Sequence, residues 1–281
     1  MIKTIKVGIP GFCSSFTFAD SHAQIIFMID QHKENILKDG FTIIELGNAS
    51  FIESMQNDLL LFTNNFLGSS LKVKKLENLH HELPIESLNE FRLKVIKLIN
   101  QNQDFRKNLT DTILPHFQHL LGPDLAIQKN INLVISLPGD VTSQIPMHSD
   151  MWTGHSPFEL NLWVPFTKTY KTQSMFIMPL DKWILRKEEF KNSKNTLQEL
   201  TKLWEKDFVF VEVDPGQALI FWHNLPHGNC TNQETISRLA VNVRIKNLYT
   251  PYGDKGLGDY FIPLTYGPMT ELIFKAKTQW D

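Results

Sequence analysis

FVFVEVDPGQALIFWHNLPHGNCTNQETISRLAVNVRI, residues 208–245, is the stretch whose reading decides the fold class. It contains three short runs with strand character, FVFVEV (208–213), QALIFW (217–222) and RLAVNVRI (238–245). The turn signal Asp214-Pro215-Gly216 separates the first two. On the last run Leu239, Val241, Val243 and Ile245 share one face, and Arg238, Ala240, Asn242 and Arg244 share the other, because successive side chains alternate across a strand. A polar face carrying two arginines either meets solvent at a sheet edge or lines a polar cavity inside a barrel.

Upstream, the same period-two pattern gives candidate strands INLVIS (131–136), ELNLWVPF (159–166) and SMFIMP (174–179). Turn signals at Pro138-Gly139-Asp140 and Ser156-Pro157 lie between them. The charged segment 186–207 reads as a helical insertion between strands. Before about residue 127 the period is mostly helical. Ser21 or Asp20 caps a helix through Ile25, Ile29, Ile36 and Leu37, which Asp39-Gly40 stops, and GFTIIEL then forms a short strand. Phe51, Ile52, Met55, Leu59, Phe62 and Phe66 lie on one helical face. Pro84 opens a helix carrying Ile85, Leu88, Phe91, Val95, Leu98 and Ile99. Another starts after Asp104, with a kink or break near Pro115. Helices followed by many short strands predict a mainly β protein, an antiparallel double-sheet barrel with helices packed outside it. One domain over 1–281 is the simplest organisation: a helical part about 20–122, a β core about 127–247 and an extension 248–281.

The 281 residues carry 28 basic and 30 acidic side chains, with neither a basic stripe nor a run of like charge. Nucleic acid is therefore excluded as the expected partner. Two cysteines, Cys13 and Cys230, make no disulfide framework and fit a reducing compartment. The opening MIKTIKVGIPGF lacks the apolar core of a signal peptide, and the longest apolar runs, Ile25–Ile29 and Leu59–Phe62, are too short for a bilayer. The expectation is a soluble, cytoplasmic protein without a membrane partner.

The chemistry concentrates in QIPMHSDMWTG, residues 144–154. His148 and Asp150 are one residue apart, so an extended segment projects both to one side. A third ligand must come from elsewhere, and FWHNLPHGN (221–229) offers His227 and, four residues earlier, its competitor His223. Spacing does not choose between them. Two histidines and one carboxylate on one face of a metal leave the other face open, an arrangement that suits oxygen-activating Fe(II). His116 and His119 sit at helical spacing without a useful acid nearby in sequence and read as ordinary packing or surface residues. Cys230 reads as a small buried thiol.

His148-Ser149-Asp150, followed by His227-Gly228 with Asn232 and Arg238 at their spacing, resembles the Fe(II)/2-oxoglutarate dioxygenases of the phytanoyl-CoA-hydroxylase-like branch. LKDGFTIIEL, LWVPF, SMFIMP and PGQALIFWHNLPHG fit the same pattern, over about residues 35–245. More narrowly, HSDMWTGHSPFELNLWVPF, SRLAVNVRIKN and KGLGDYFIP resemble oxygenases of carbohydrate-biosynthesis clusters, including those for aminoglycosides and surface polysaccharides. The resemblance implies a double-stranded β-helix (jelly-roll, cupin-like) core. It makes His148, Asp150 and His227 the catalytic iron ligands and prefers His227 over His223. It makes Arg238 the partner of the distal carboxylate of 2-oxoglutarate, with O2 as the third reactant. Ala240 stands where many relatives carry a hydroxyl that shares this carboxylate, so Asn242 or Arg244 is expected to help, and Gln144 is a further candidate. Asp150, rather than a small residue, leaves no slot for a halide and favours hydroxylation or a related oxidation.

For the substrate, Trp152, His155, Glu159, Asn161 and Trp163 are candidates, and a sugar-containing small molecule is the expected class. Two alternatives remain beside it. One keeps the mechanism and oxidises an acyl-thioester or another small metabolite. The other is a cupin-like protein that binds a metal or carbohydrate without turnover.

Overall fold

The computed structural model describes residues 3–5, 30–68 and 72–276. The expected helix start at Ser21 or Asp20, with Ile25 and Ile29, and Cys13 lie outside them. A first helix, α1, covers residues 30–39 and ends at Gly40, whose φ of +80° favours glycine. A Cβ there would also come within 2.6 Å of the Leu225 side chain.

Among the described residues the larger sheet has seven strands and centres on β10 (Arg238–Asn247). β5 (Glu159–Pro165) flanks it on one side, followed by β8 (Gln217–Trp222) and β2 (Phe41–Glu45). Along the other side, β3 (Leu125–Gln128) and β4 (Asn132–Ser136) pair with successive halves of β10, and β11 (Phe261–Thr265) pairs with β3. The smaller sheet runs in the order β1 (Lys3–Ile5), β7 (Val209–Val211), β6 (Phe176–Ile177), β9 (His227–Gly228).

The alternation on β10 sorts its two faces as the spacing requires. Leu239, Val241, Val243 and Ile245 join the main core with Leu160, Leu162 and Val164 of β5 and Ala218 and Ile220 of β8. That core is closed by α2 (Ser50–Leu67), α3 (Leu88–Gln101) and α4 (Gln103–Leu121), through Phe51, Ile52, Met55, Leu59, Phe91, Val95, Ile99, Phe105, Leu109, Ile113 and Phe117. A second core lies between the sheets. There Trp163, Leu219, Phe221 and Ala240 of the large sheet meet Phe176, Ile177 and Val209–Val211 of the small one. Trp183 of α5 (Leu180–Asn192) and Leu200 of α6 (Leu197–Leu203) join this second cluster. The architecture is thus a jelly-roll of two sheets with flanking helices, and the polar face of β10 looks into the space between the sheets.

Several boundaries differ from the sequence reading. SMFIMP pairs only at Phe176 and Ile177, because Pro179 already serves as the N-cap of α5. The charged insertion begins at Leu180 rather than 186 and forms two helices. Thr196 starts the second with a reciprocal cap, its hydroxyl accepting from the Glu199 N–H while Glu199 accepts from the Thr196 N–H. α4 starts at Gln103, capped by the Asn102 side chain, and continues through Pro115 without a break. The β1, β3, β9 and β11 strands had no reading in the sequence. A last helix, α7, spans Pro268–Ala276. Among the described residues no helix is long and apolar enough to cross a membrane.

His32 of α1 and His116 of α4 meet edge-on beneath the fold, ring centroids 5.4 Å apart. His119 does find an acid, Asp30 at 3.2 Å, contrary to the local reading. Burial, and then the neighbouring His116, push the His32 pKa down from 6.5 to about 4. Burial lowers His116 as well. The unfolded chain therefore binds these protons first, and stability present above pH 6.5 is lost as pH falls towards 4. The unfolding free energy from denaturant titrations across that window is expected to fall by on the order of 1–3 kcal/mol, and His116→Leu should flatten the slope. A midpoint independent of pH would contradict this.

Candidate metal centre

His148 and His227 are placed side by side by backbone pairing. Each donates its N–H to the other's carbonyl at 2.9 Å, extending the small sheet beyond β9. Gly228 makes this close approach possible, since a Cβ there would lie 2.6 Å from the Ile145 carbonyl oxygen and 2.9 Å from the Phe176 ring. The two imidazole centroids are 4.3 Å apart. Nδ1 of His148 donates to the Pro146 carbonyl at 2.9 Å, and Nδ1 of His227 donates to the Leu225 carbonyl at 2.8 Å. A carbonyl can only accept, so both Nδ1 atoms carry hydrogen and both Nε2 lone pairs are free.

Asp150 begins a 3-10 turn, Asp150–Thr153, rather than continuing an extended strand. Its Oδ1 still lies 3.5 Å from His148 Nε2 and 4.0 Å from His227 Nε2. One ligand atom from each of the three residues falls within 4.8 Å of the others, a spacing that a single metal ion can bridge. The electrostatics suit a cation. Burial and the adjacent His148 lower the His227 pKa to about 3, which keeps the ring neutral. Burial alone would raise the Asp150 carboxyl, but the adjoining imidazoles of His148 and His223 and the charge of Arg244 hold it well below the usual carboxylate range. Neutral imidazoles and an ionised carboxylate are the forms a metal requires.

His223 stands on the far side of Asp150. It is buried, with Nε2 donating to the Ser156 carbonyl at 2.7 Å and Nδ1 3.3 Å from Asp150 Oδ2. It belongs to a second buried group with His155 and Glu159. His155 Nδ1 meets Glu159 Oε2 at 2.8 Å, and the Ser156 N–H donates to Oε1 of the same carboxylate. His155 and Glu159, expected against a substrate, thus pair with one another inside the protein and do not line the cavity between the sheets.

That cavity is lined by His148, His227, Asn161, Trp163, Arg238, Asn242 and Arg244, with apolar walls from Val134, Ile145, Met175 and Phe221. Arg238 is 2% exposed, and its Nε and Nη1 have no hydrogen-bond partner among the described residues. Burial lowers its pKa to about 10, which leaves it cationic at neutral pH. Oδ1 of Asn161 and Oδ1 of Asn242 are likewise buried and unpaired. Unpaired buried polar atoms are costly, so their convergence in one cavity marks a place prepared for polar ligands, the Arg238 donors for an anionic group and the two amide oxygens for donors. Arg244 does not share that role, for its guanidinium is engaged by Asp150, Gln128 and Tyr260. Gln144 is on the surface, bonded to the Thr231 hydroxyl. Trp152 is 37% exposed and stacks on Phe190 of α5, centroids 4.7 Å apart, outside the cavity lining. Asn232 is buried and holds the β9–β10 loop through the Ile236 carbonyl. Cys230 is half-buried beside the second core. Gln128 and Tyr260 gave no signal in the sequence, although Tyr260 lies within KGLGDYFIP.

The fold and site agree with known proteins. The family model described as phytanoyl-CoA dioxygenase (PhyH) matches residues 72–240. No curated protein sequence matches the chain. Among solved structures, a non-heme monooxygenase, the ThoJ–nickel complex, is similar at 16% identity, covering 85% of each chain with a TM-score of 0.54. EctD from S. alaskensis with 2-oxoglutarate and 5-hydroxyectoine is 15% identical, covering 79% of this chain and 77% of that one, TM-score 0.52. The epimerase SnoN in complex with Fe3+, alpha ketoglutarate and nogalamycin RO is 12% identical, covering 86% and 97%, TM-score 0.51. Jelly-roll, unpaired cavity arginine, metal-competent cluster and family match converge: the chain belongs to the phytanoyl-CoA dioxygenase (PhyH) family, and it is a dioxygenase that uses Fe(II), 2-oxoglutarate and O2.

Proposed function

We propose that His148, Asp150 and His227 hold the iron, that Arg238 grips the distal carboxylate of 2-oxoglutarate, and that the enzyme hydroxylates or oxidises a sugar-containing small molecule within one catalytic domain. The observation that carries the site assignment is the buried, partnerless Arg238 guanidinium in the cavity that His148 and His227 also line. Iron with its cosubstrate and dioxygen supplies the oxidising power to functionalise a C–H bond. The protein's own residues do the rest. His148 and His227 present Nε2, fixed in tautomer by carbonyls, and Asp150 presents Oδ1. Arg238 offers a planar fork suited to a carboxylate, with the Trp163 ring 6.0 Å from its centre. Asn161 and Asn242 offer acceptors to a hydroxyl, and Val134, Met175 and Phe221 give the cavity apolar walls.

A sugar-containing substrate is supported by the narrow sequence resemblance through HSDMWTGHSPFELNLWVPF and KGLGDYFIP. Of the residues named for it, Trp163 and Asn161 line the cavity and are suited to ring stacking and hydroxyl bonding. The family name favours an acyl-thioester instead. The test incubates iron-loaded protein with 2-oxoglutarate, oxygen and a panel of nucleotide sugars, aminoglycoside fragments and acyl-thioesters. A sugar compound is expected to drive succinate formation and to gain one oxygen or lose two hydrogens by mass. Coupled turnover of acyl-thioesters alone would overturn the sugar assignment and leave the iron site standing.

A further inference from the structure

We infer that Arg244 is a positioning residue for the metal centre: it holds one oxygen of Asp150 and so presents only the other to iron. The inference rests on Asp150 being an iron ligand. Arg244 shares a strand face with Arg238, and the sequence reading made it a helper of Arg238 at the cosubstrate. Their surroundings differ completely. Arg244 Nε donates to Asp150 Oδ2 at 2.8 Å and Nη2 donates to the same oxygen at 2.6 Å. Its remaining nitrogen, Nη1, donates to Gln128 Oε1 and to the Tyr260 hydroxyl, each at 3.1 Å. Every nitrogen of this guanidinium is engaged, whereas Arg238 has two that are not.

Both contacts fall on Oδ2, not one on each carboxylate oxygen. Oδ1 is thereby left towards His148 and His227. Asp150 needs this restraint, because it opens a 3-10 turn after an isolated bridge at His148 and is not held in a strand ladder. A free carboxylate could rotate and offer either or both oxygens. The clamp is itself braced from two sides, by Gln128 on β3 and by Tyr260 just before β11. Gln128 Oε1 also accepts the backbone N–H of Arg244 at 3.2 Å, which fixes the strand and the side chain together. The KGLGDYFIP segment thereby delivers Tyr260 to the guanidinium that orients the ligand.

The test measures the Fe(II) dissociation constant of metal-free protein anaerobically, the KM for 2-oxoglutarate at saturating iron, and the melting temperature without metal. The variants are Arg244→Lys, Arg244→Gln, Tyr260→Phe, Arg238→Ala and Asp150→Ala. Partners outside the ligand set typically change metal affinity about 10–100-fold, and Arg244→Gln is expected to weaken iron by that amount with the KM for 2-oxoglutarate near wild type. Arg244→Lys should recover part of the affinity, since an ammonium keeps the charge without the fork. Tyr260→Phe should shift iron affinity in the same direction by less, with the fold retained. Arg238→Ala should show the opposite split. Wild-type iron affinity in a folded Arg244→Gln protein would overturn the inference, as would a raised KM for 2-oxoglutarate with iron unaffected. If the Arg244 variants do not fold, unchanged iron affinity in Tyr260→Phe overturns it. Iron loss in Asp150→Ala with iron kept in Arg244→Gln sinks this inference alone. Iron kept in Asp150→Ala sinks the ligand assignment with it.

Discussion

Replacing His148, Asp150 or His227 with alanine is expected to abolish tight iron binding, each on its own. The three residues contribute one ligand atom apiece to a cluster no wider than 4.8 Å, and removing one leaves two protein contacts to a cation that needs all three to resist loss. The effect should exceed the roughly 10–100-fold change typical of residues behind the ligands. His223→Ala is the control. His223 faces Oδ2 of Asp150 at 3.3 Å and not the Oδ1 side shared by His148 and His227. Its loss should lower the melting temperature, by about 1–3 kcal/mol of stability, and leave iron in place. Asp150→Ala also strands the buried Arg244, a defect of about 3–5 kcal/mol, so melting is followed alongside metal content. Iron retained by His227→Ala and lost by His223→Ala would reverse the assignment of the third ligand.

Arg238→Ala is expected to weaken apparent 2-oxoglutarate affinity by about 2–5 kcal/mol, because it leaves a desolvated carboxylate without its partner. The side chain is almost wholly buried and makes no competing hydrogen bond through Nε or Nη1, so little of that loss can be recovered by rearrangement. Arg238→Lys should restore only part, for a single ammonium cannot reproduce two parallel N–H bonds. Iron content should remain near normal in both. Calorimetric titration of 2-oxoglutarate into the iron-loaded variants checks this, and an unchanged affinity in Arg238→Ala would place the carboxylate elsewhere in the cavity.

What the sequence made legible follows from which forces act locally. The alternation of β10 was readable because both of its faces are buried in different company, apolar against the helices and polar against the cavity. The strand β1 was not, because Lys3–Ile5 is held by parallel pairing to Val209–Val211, more than 200 residues away, and three residues carry no period of their own. β9 is two residues long and exists because His148 and Phe176 pair on either side of it. In the site, His148 and Asp150 stood out by spacing and His227 by resemblance, and the fold brings the three together. The strand pattern gave Arg238 and Arg244 a common face; the resemblance chose Arg238 for the cosubstrate and left Arg244 as its expected helper, and the pattern could not show that Arg244 is taken up by Asp150 instead. His155 was assigned to a substrate because it follows the metal motif closely, and Glu159 because it shares a strand face with Asn161 and Trp163. Their mutual hydrogen bond turns them inward, an outcome that only the course of the loop decides.

The most direct test is succinate formation from 2-oxoglutarate by the purified chain, with and without Fe(II) and with and without oxygen. The prediction is succinate only when iron and oxygen are both present, abolished in Asp150→Ala and reduced at limiting 2-oxoglutarate in Arg238→Ala. Iron bound by the wild-type protein with no succinate above the protein-free background, with every candidate substrate supplied, would contradict it and leave a metal-binding jelly-roll without turnover.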